Sequence, residues 1–163
     1  MKEKFVKAYL KTASIFAGLS QAKRLQVGAI IVKDDRIISI GFNGTPSGWD
    51  NCCEYEEYAH DSRVADESSD WQFDPVTNRY SRLKTKSEVL HAERNALDKL
   101  AKQGGIGGDG STMFCTHAPC LECAKSIYGA GIKYVYYETK YRDDAGLRFL
   151  EKSGVSVTQV LKE

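Results

Sequence analysis

Ser111-Thr112-Met113-Phe114-Cys115-Thr116, then Pro119 to Tyr128, then Ile132-Lys133-Tyr134-Val135-Tyr136-Tyr137-Glu138 is the stretch that decides the fold. It reads as a strand, a helix and a strand. Downstream, Asp143–Lys152 reads as a further helix and Val155–Val160 as a further strand. Upstream, Val27-Gly28-Ala29-Ile30-Ile31-Val32 is a continuous β-branched run, followed by Asp34-Asp35 and Arg36-Ile37-Ile38-Ser39-Ile40, which predicts two buried strands joined by an acidic turn. Residues 3–20 space Phe5, Ala8, Tyr9, Thr12, Ala13, Phe16 and Leu19 at three- and four-residue steps, as an amphipathic helix does. A second such pattern runs over Glu88–Lys102 and stops at Gly104–Gly110. The order α-β-β-(long connection)-α-β-α-β-α-β implies a mostly parallel α/β sheet with helices on both faces. A chain of 163 residues suits one domain spanning 1–163.

Composition removes several classes of function. The chain is 42% hydrophobic and 28% charged, with a formal net charge of +1, so binding duplex nucleic acid through general basicity is disfavoured. No apolar run approaches the ~18 residues of a membrane span. Met1-Lys2-Glu3-Lys4-Phe5-Val6-Lys7 has no apolar signal core. Five cysteines is an odd number, and Cys115, Cys120 and Cys123 crowd into one short stretch. That pattern points to metal or thiol chemistry in a reducing, cytoplasmic setting rather than a disulfide framework.

The stretch from Gly41 to Ser87 shows no steady periodicity and is expected to be a loop region inserted at about 44–87. Connections of this length are uncommon unless functional. It carries Trp49, Tyr55, Tyr58, Trp71, Phe73 and Tyr80, too much aromatic area to leave in water, so an interface and regulatory role is expected. Its acids are mostly solvated, or hold magnesium on a bound triphosphate. Cys52, Cys53 and His60 are either part of a second metal site or surface thiols beside a solvated histidine. Gly105 to Gly110 matches G-x-G-x-x-G, but it follows a helix and precedes a strand, so it is a loop. Cys115, mid-strand, reads as a small core residue.

Two strings carry the chemistry: His91-Ala92-Glu93 and Pro119-Cys120-Leu121-Glu122-Cys123. Cys120 and Cys123 fall on neighbouring rows of one helical turn, with Pro119 suited to the first helical position. Thiolates at a helix N-terminus have depressed pKa and bind metal near neutral pH. His91, opening another helix, supplies a third ligand. Three protein ligands with an open fourth position mark a catalytic zinc site. His117 precedes the cysteine helix and fits ligation poorly. Glu93 can share a point with His91 only if both project from the first turn, because two residues along a helix turn roughly 200°. A carboxylate there can take a proton from water activated by the metal and hand it on. The combination H-x-E…P-C-x-x-C is the signature of zinc deaminases acting on nucleobases, with the glutamate as acid/base. A structural zinc or a redox Cys-x-x-Cys has no need for the His-x-Glu.

Gly41-Phe42-Asn43-Gly44-Thr45-Pro46-Ser47-Gly48 follows the second strand. Its glycines permit close backbone approach, and Asn43 either bonds a sugar hydroxyl or satisfies its own turn. Lys23 and Arg24 are either a phosphate site or a solvated basic turn. Gln26 to Val32, Asn51-Cys52-Cys53-Glu54, His91-Ala92-Glu93-Arg94-Asn95-Ala96, Ala118 to Ala124 and Lys140-Tyr141-Arg142-Asp143 together closely resemble the deoxycytidylate (dCMP) deaminase family, in order and over most of the chain. The resemblance implies the cytidine-deaminase fold, a three-layer α/β/α sandwich with a five-stranded mixed sheet. It implies hydrolysis of dCMP to dUMP for thymidylate supply by a homohexamer, activated by dCTP and inhibited by dTTP, with Mg2+ accompanying the triphosphate near Asn43 and Gly44. It assigns His91, Cys120 and Cys123 to Zn2+, Glu93 to proton transfer, Asn43 to the deoxyribose and Tyr141 to the substrate. Ala118 lies where a backbone carbonyl could accept from the exocyclic amine. Some phage relatives carry extra cysteine and histidine ligands for a second zinc, but Ala22 and Lys23 stand where such a cysteine would fall. In tRNA adenosine deaminases the sugar-contacting asparagine lies only a short loop before the His-x-Glu. Here the long acidic stretch separates Asn43 from His91 and would repel an RNA backbone. A non-catalytic zinc-dependent interaction module would have no use for Glu93.

Overall fold

The computed structural model describes residues 1–59, 70–104 and 107–161. Among these residues four helices, α1 (Glu3–Ala17), α2 (Ala92–Lys102), α3 (Leu121–Gly129) and α4 (Ala145–Lys152), accompany eight strands. Five of these, β1 (Gly28–Lys33), β2 (Arg36–Phe42), β6 (Thr112–His117), β7 (Tyr134–Thr139) and β8 (Ser156–Gln159), form one sheet in the order β2-β1-β6-β7-β8.

That sheet is mixed, as the family resemblance implies. The expectation of a mostly parallel sheet from strand–helix alternation is corrected: β6-β7 and β7-β8 pair in parallel, but β1 runs antiparallel to both β2 and β6. The alternation does set β2 and β6 in the same direction across α2, but the hairpin strand β1 sits between them and turns both contacts antiparallel. The hairpin closes through Asp34 (φ 48°) and Asp35 (φ 58°), the two left-handed residues that a tight hairpin turn needs.

Side-chain alternation splits the core in two. Ile30, Val32 and Phe114 point to α1, meeting Val6, Leu10 and Ala13. Ala29, Ile31, Met113, Cys115 and Val135 point to the opposite face, against Ala92 and Ala96 of α2, Ala124 and Ile127 of α3 and Leu150 of α4. The result is helix, sheet and helices in three layers. Cys115 is fully buried there. Among the described residues no helix is long and apolar enough to cross a membrane.

The connection between β2 and α2 is not a bare loop. Three strands, β3 (Glu54–Ala59), β4 (Gln72–Asp74) and β5 (Arg79–Thr85), form a second antiparallel sheet in the order β3-β5-β4. It escapes periodicity because charge, not apolar alternation, holds it. Glu57 faces Arg82 across β3 and β5, its Oε2 accepting from Arg82 Nε at 2.6 Å while Oε1 accepts from Lys84 Nζ at 3.3 Å. These bonds hold the Glu57 carboxyl below its usual range. Arg82 also stacks 4.5 Å over the Trp71 ring. Asp74-Pro75-Val76-Thr77-Asn78, with Asn78 at φ 56°, is the local signal that betrays the β4-β5 turn. Trp49, Tyr55, Tyr58 and Phe73 remain exposed.

Candidate active site

Two helix starts build the site. His91 is the N-cap of α2, extended at φ −72° and ψ 153°, and Glu93 sits in the first turn behind it. α2 therefore begins at Ala92 and not at Glu88, because Leu90 is drawn into a backbone bridge with Gly44. The helix lies hard against β2: a Cβ on Gly41 would stand 2.1 Å from the Ala92 carbonyl oxygen. Ser39 Oγ donates to the Ala96 carbonyl at 2.6 Å, and Asn95 Nδ2 to the Phe42 carbonyl at 2.8 Å.

Cys120 is likewise the N-cap of α3 and Cys123 lies in its first turn. Pro119 stands one residue before the cap, not at the first helical position. The pair still converges, because an N-cap side chain folds back over the opening turn. Gly146 of α4 packs so closely that a Cβ would lie 2.1 Å from the Pro119 carbonyl oxygen.

His91 Nδ1 lies 3.5 Å from Cys120 Sγ and 3.4 Å from Cys123 Sγ. Tetrahedral bonds of ~2.0–2.1 Å to nitrogen and ~2.3 Å to sulfur put N and S about 3.5 Å apart, so this donor set fits a zinc ion. Among the described residues it is the one His/Cys/Asp/Glu group with all ligand atoms within 4.8 Å of one another. His117 is not in it; its Nδ1 lies 3.0 Å from the Thr116 hydroxyl. Cys53 is buried with Ala22 and Val89, Cys52 is exposed, and His60 lies outside the described residues, so the second-metal reading gains no cluster here.

The electrostatics suit metal and proton chemistry. A hydrogen bond from the Cys123 thiol lowers Cys120 to about 4 despite burial, leaving it a thiolate. Cys123 is pushed up, first by that shared bond and then by burial. His91 is raised, chiefly by its bond to Cys120. Burial raises Glu93, 4% exposed, to about 7. A metal must therefore displace the proton held by the Cys123 thiol, and competes with protonation of His91 as the pH falls. Zinc affinity is expected to rise with pH through the neutral range, with net proton release on binding. Competition against a chromophoric chelator at about pH 6 and about pH 8 measures this. Equal affinity at the two would contradict it.

A cavity of about 490 Å3 opens over this group, within the usual range for small-molecule sites. Of the sequence-expected residues, Arg24, Asn43, His91, Glu93, Ala118, Cys120 and Tyr141 line it. Lys23 does not, and Gly44 spends its N–H and carbonyl on Leu90 at 3.1 and 2.8 Å. The Asn43 amide is engaged by the segment between α1 and β1 rather than by its own turn, accepting from Val27 N–H at 2.8 Å and donating to the Leu25 carbonyl at 2.8 Å. Sequence reasoning missed Glu54, Thr85, Lys140 and His117 as wall residues. The Lys140-Tyr141-Arg142 run was a signal for one of them; nothing local marked Glu54.

Comparison with known proteins agrees with this geometry. The family described as "Cytidine and deoxycytidylate deaminase zinc-binding region" matches residues 2–139. The chain is 33% identical to deoxycytidylate deaminase of Enterobacteria phage T4, covering 94% of this chain and 89% of that one. It is 33% identical to ComE operon protein 2 of Bacillus subtilis, over 93% of this chain and 69% of that protein. The crystal structure of dCMP deaminase from cyanophage S-TIM5, in complex with dCMP and dUMP, superposes with a TM-score of 0.77 at 40% identity, covering 98% and 99% of the two chains. With the fold, the His/Cys/Cys group and the buried glutamate all in place, the chain belongs to the cytidine and deoxycytidylate deaminase family.

Proposed function

We propose that this protein is a zinc-dependent hydrolase that converts dCMP and water to dUMP and ammonia, a product that feeds thymidylate synthesis. The observation that carries the reading is one cavity holding both the buried Glu93 beside the His91/Cys120/Cys123 group and the basic side chains of Arg24, Lys140 and Arg142. The first set serves a nucleobase and the second a monophosphate. The likeness to a cyanophage enzyme solved with dCMP and dUMP supports the same substrate.

His91, Cys120 and Cys123 would hold the zinc, which when bound would lower the pKa of a water molecule toward ~7. Glu93 takes a proton from the attacking water and delivers it to ring N3 as the water oxygen bonds to C4. It then carries the proton of the new C4 hydroxyl to the exocyclic nitrogen, so that the C4–N bond breaks, the C4 carbonyl forms and ammonia leaves. The Ala118 carbonyl accepts from the exocyclic amine, and Tyr141 borders the nucleoside. Asn43 retains one amide hydrogen and one lone pair beyond its bonds to Leu25 and Val27, enough for the deoxyribose hydroxyl.

The phosphate falls to Arg24, with Lys140 and Arg142, rather than to Lys23. Arg24→Ala is expected to lower the preference for dCMP over deoxycytidine, in kcat/KM, by at least about tenfold, the scale of one charge-assisted hydrogen bond. An unchanged ratio would place the phosphate elsewhere.

The regulated homohexamer belongs to the same reading. Exposed Trp49, Tyr55, Tyr58 and Phe73 suit contacts between copies. Gly44 is bonded to Leu90, immediately before His91, so a triphosphate with Mg2+ acting at the Asn43-Gly44 turn would shift the metal ligand. Opposed effectors need differential affinity for two states. The dCMP response is expected to be sigmoidal, hyperbolic with dCTP and Mg2+, and steeper with dTTP. A monomer with hyperbolic kinetics indifferent to both would remove the regulation and leave the catalysis.

A further inference from the structure

The segment between α1 and β1 carries Arg24 into the cavity wall without belonging to a helix or strand. Side chains fix it at three places. Ser20 Oγ donates to the Asn43 carbonyl at 2.8 Å and accepts from Ala22 N–H. The Asn43 amide holds Leu25 and Val27. Between these anchors, the N–H groups of Lys23 and Arg24 both go to Glu54 Oε1, at 2.9 and 3.2 Å. Glu54 is 6% exposed, and a carboxylate so buried persists only where hydrogen bonds satisfy it.

Glu54 opens β3, and its direct cross-strand partner on β5 is Thr85. Thr85 Oγ1 accepts from Arg24 Nη1 at 3.4 Å, with Asp70 3.6 Å from Nη2. The residue pair Glu54/Thr85 therefore grips Arg24 at both ends, backbone and guanidinium. With the N–H groups of residues 23 and 24 spent on Glu54, that backbone is closed to an anion, and recognition is left to the guanidinium.

We infer that Glu54 is a positioning residue for nucleotide selectivity: through the backbone of Lys23 and Arg24 it sets the guanidinium for the substrate's 5′-phosphate, which makes the inserted sheet the mount of the phosphate-reading arginine. This rests on the reading of Arg24 as the phosphate partner. A recognition group must be held within ~0.5 Å of its working geometry, so loosening the mount costs selectivity while leaving the guanidinium present.

The test uses the full-length, zinc-loaded protein and the ratio of kcat/KM for dCMP over deoxycytidine. Glu54→Ala is expected to lower that ratio about tenfold, mainly through KM for dCMP, the scale of lost bonds to a charged group. Glu54→Gln keeps an acceptor oxygen and restores most of it. Glu54→Asp keeps the charge but draws the acceptor back, giving an intermediate ratio, and serves where the alanine variant does not fold. In an Arg24→Ala background, Glu54→Asp adds no further loss of selectivity. If all Glu54 variants leave the ratio unchanged while Arg24→Ala lowers it, or lower turnover of both substrates equally, the positioning role is overturned and the phosphate reading stands. If Arg24→Ala itself leaves the ratio unchanged, the phosphate reading fails and this inference with it.

Discussion

A Glu93→Gln protein is expected to fold, retain its zinc and turn over dCMP at least ~10²-fold more slowly than the parent, toward ~10⁴-fold if both proton transfers depend on the carboxylate. The substitution preserves volume in a site where the side chain is buried, so packing in the first turn of α2 is left intact. What it removes is a group whose burial holds its pKa at about 7, where a carboxyl both takes and gives a proton at neutral pH. Zinc content measured alongside turnover separates loss of proton transfer from loss of metal. A zinc-replete variant with near-parental turnover would remove Glu93 from the chemistry.

The second large effect is on the metal. Cys123→Ala is expected to weaken zinc binding by more than ~10²-fold, beyond the loss typical of outer-sphere partners, and to abolish turnover with it. The reason is geometric: among the described residues three donors within 4.8 Å of one another form the group, and the remaining His91 and Cys120 cannot define a tetrahedral site. Cys115→Ala makes the control. Cys115 is buried mid-strand in β6, part of the core and not one of the three donors, so that variant should lose stability and keep zinc. Metal content after dialysis against a chelator distinguishes the two. Stoichiometric zinc in folded Cys123→Ala would contradict the ligand set.

Where the sequence was legible, one local rule agreed with one tertiary fact. The apolar runs at 28–33 and 112–117 became central strands because both faces are buried. His91, Glu93, Cys120 and Cys123 could be read because the chemistry demands two helix N-termini at one point, and each string starts a helix. The sheet's mixed order was not visible in periodicity, since nothing in residues 28–42 says the hairpin strand will lie between β2 and β6. The inserted sheet escaped because Glu57, Arg82 and Lys84 hold its strands by charge across exposed faces. Glu54 escaped for a related reason. Amid neighbouring acids it resembles a solvated residue, and only the fold shows it buried beneath the backbone of Lys23 and Arg24.

The most direct test is ammonia release by the zinc-loaded protein from equal concentrations of dCMP, deoxycytidine, cytidine and a tRNA anticodon stem-loop. Stoichiometric dUMP and ammonia from dCMP, with the other three turned over far more slowly, is the predicted result. No release from dCMP, or faster release from the stem-loop or a free nucleoside, would contradict it.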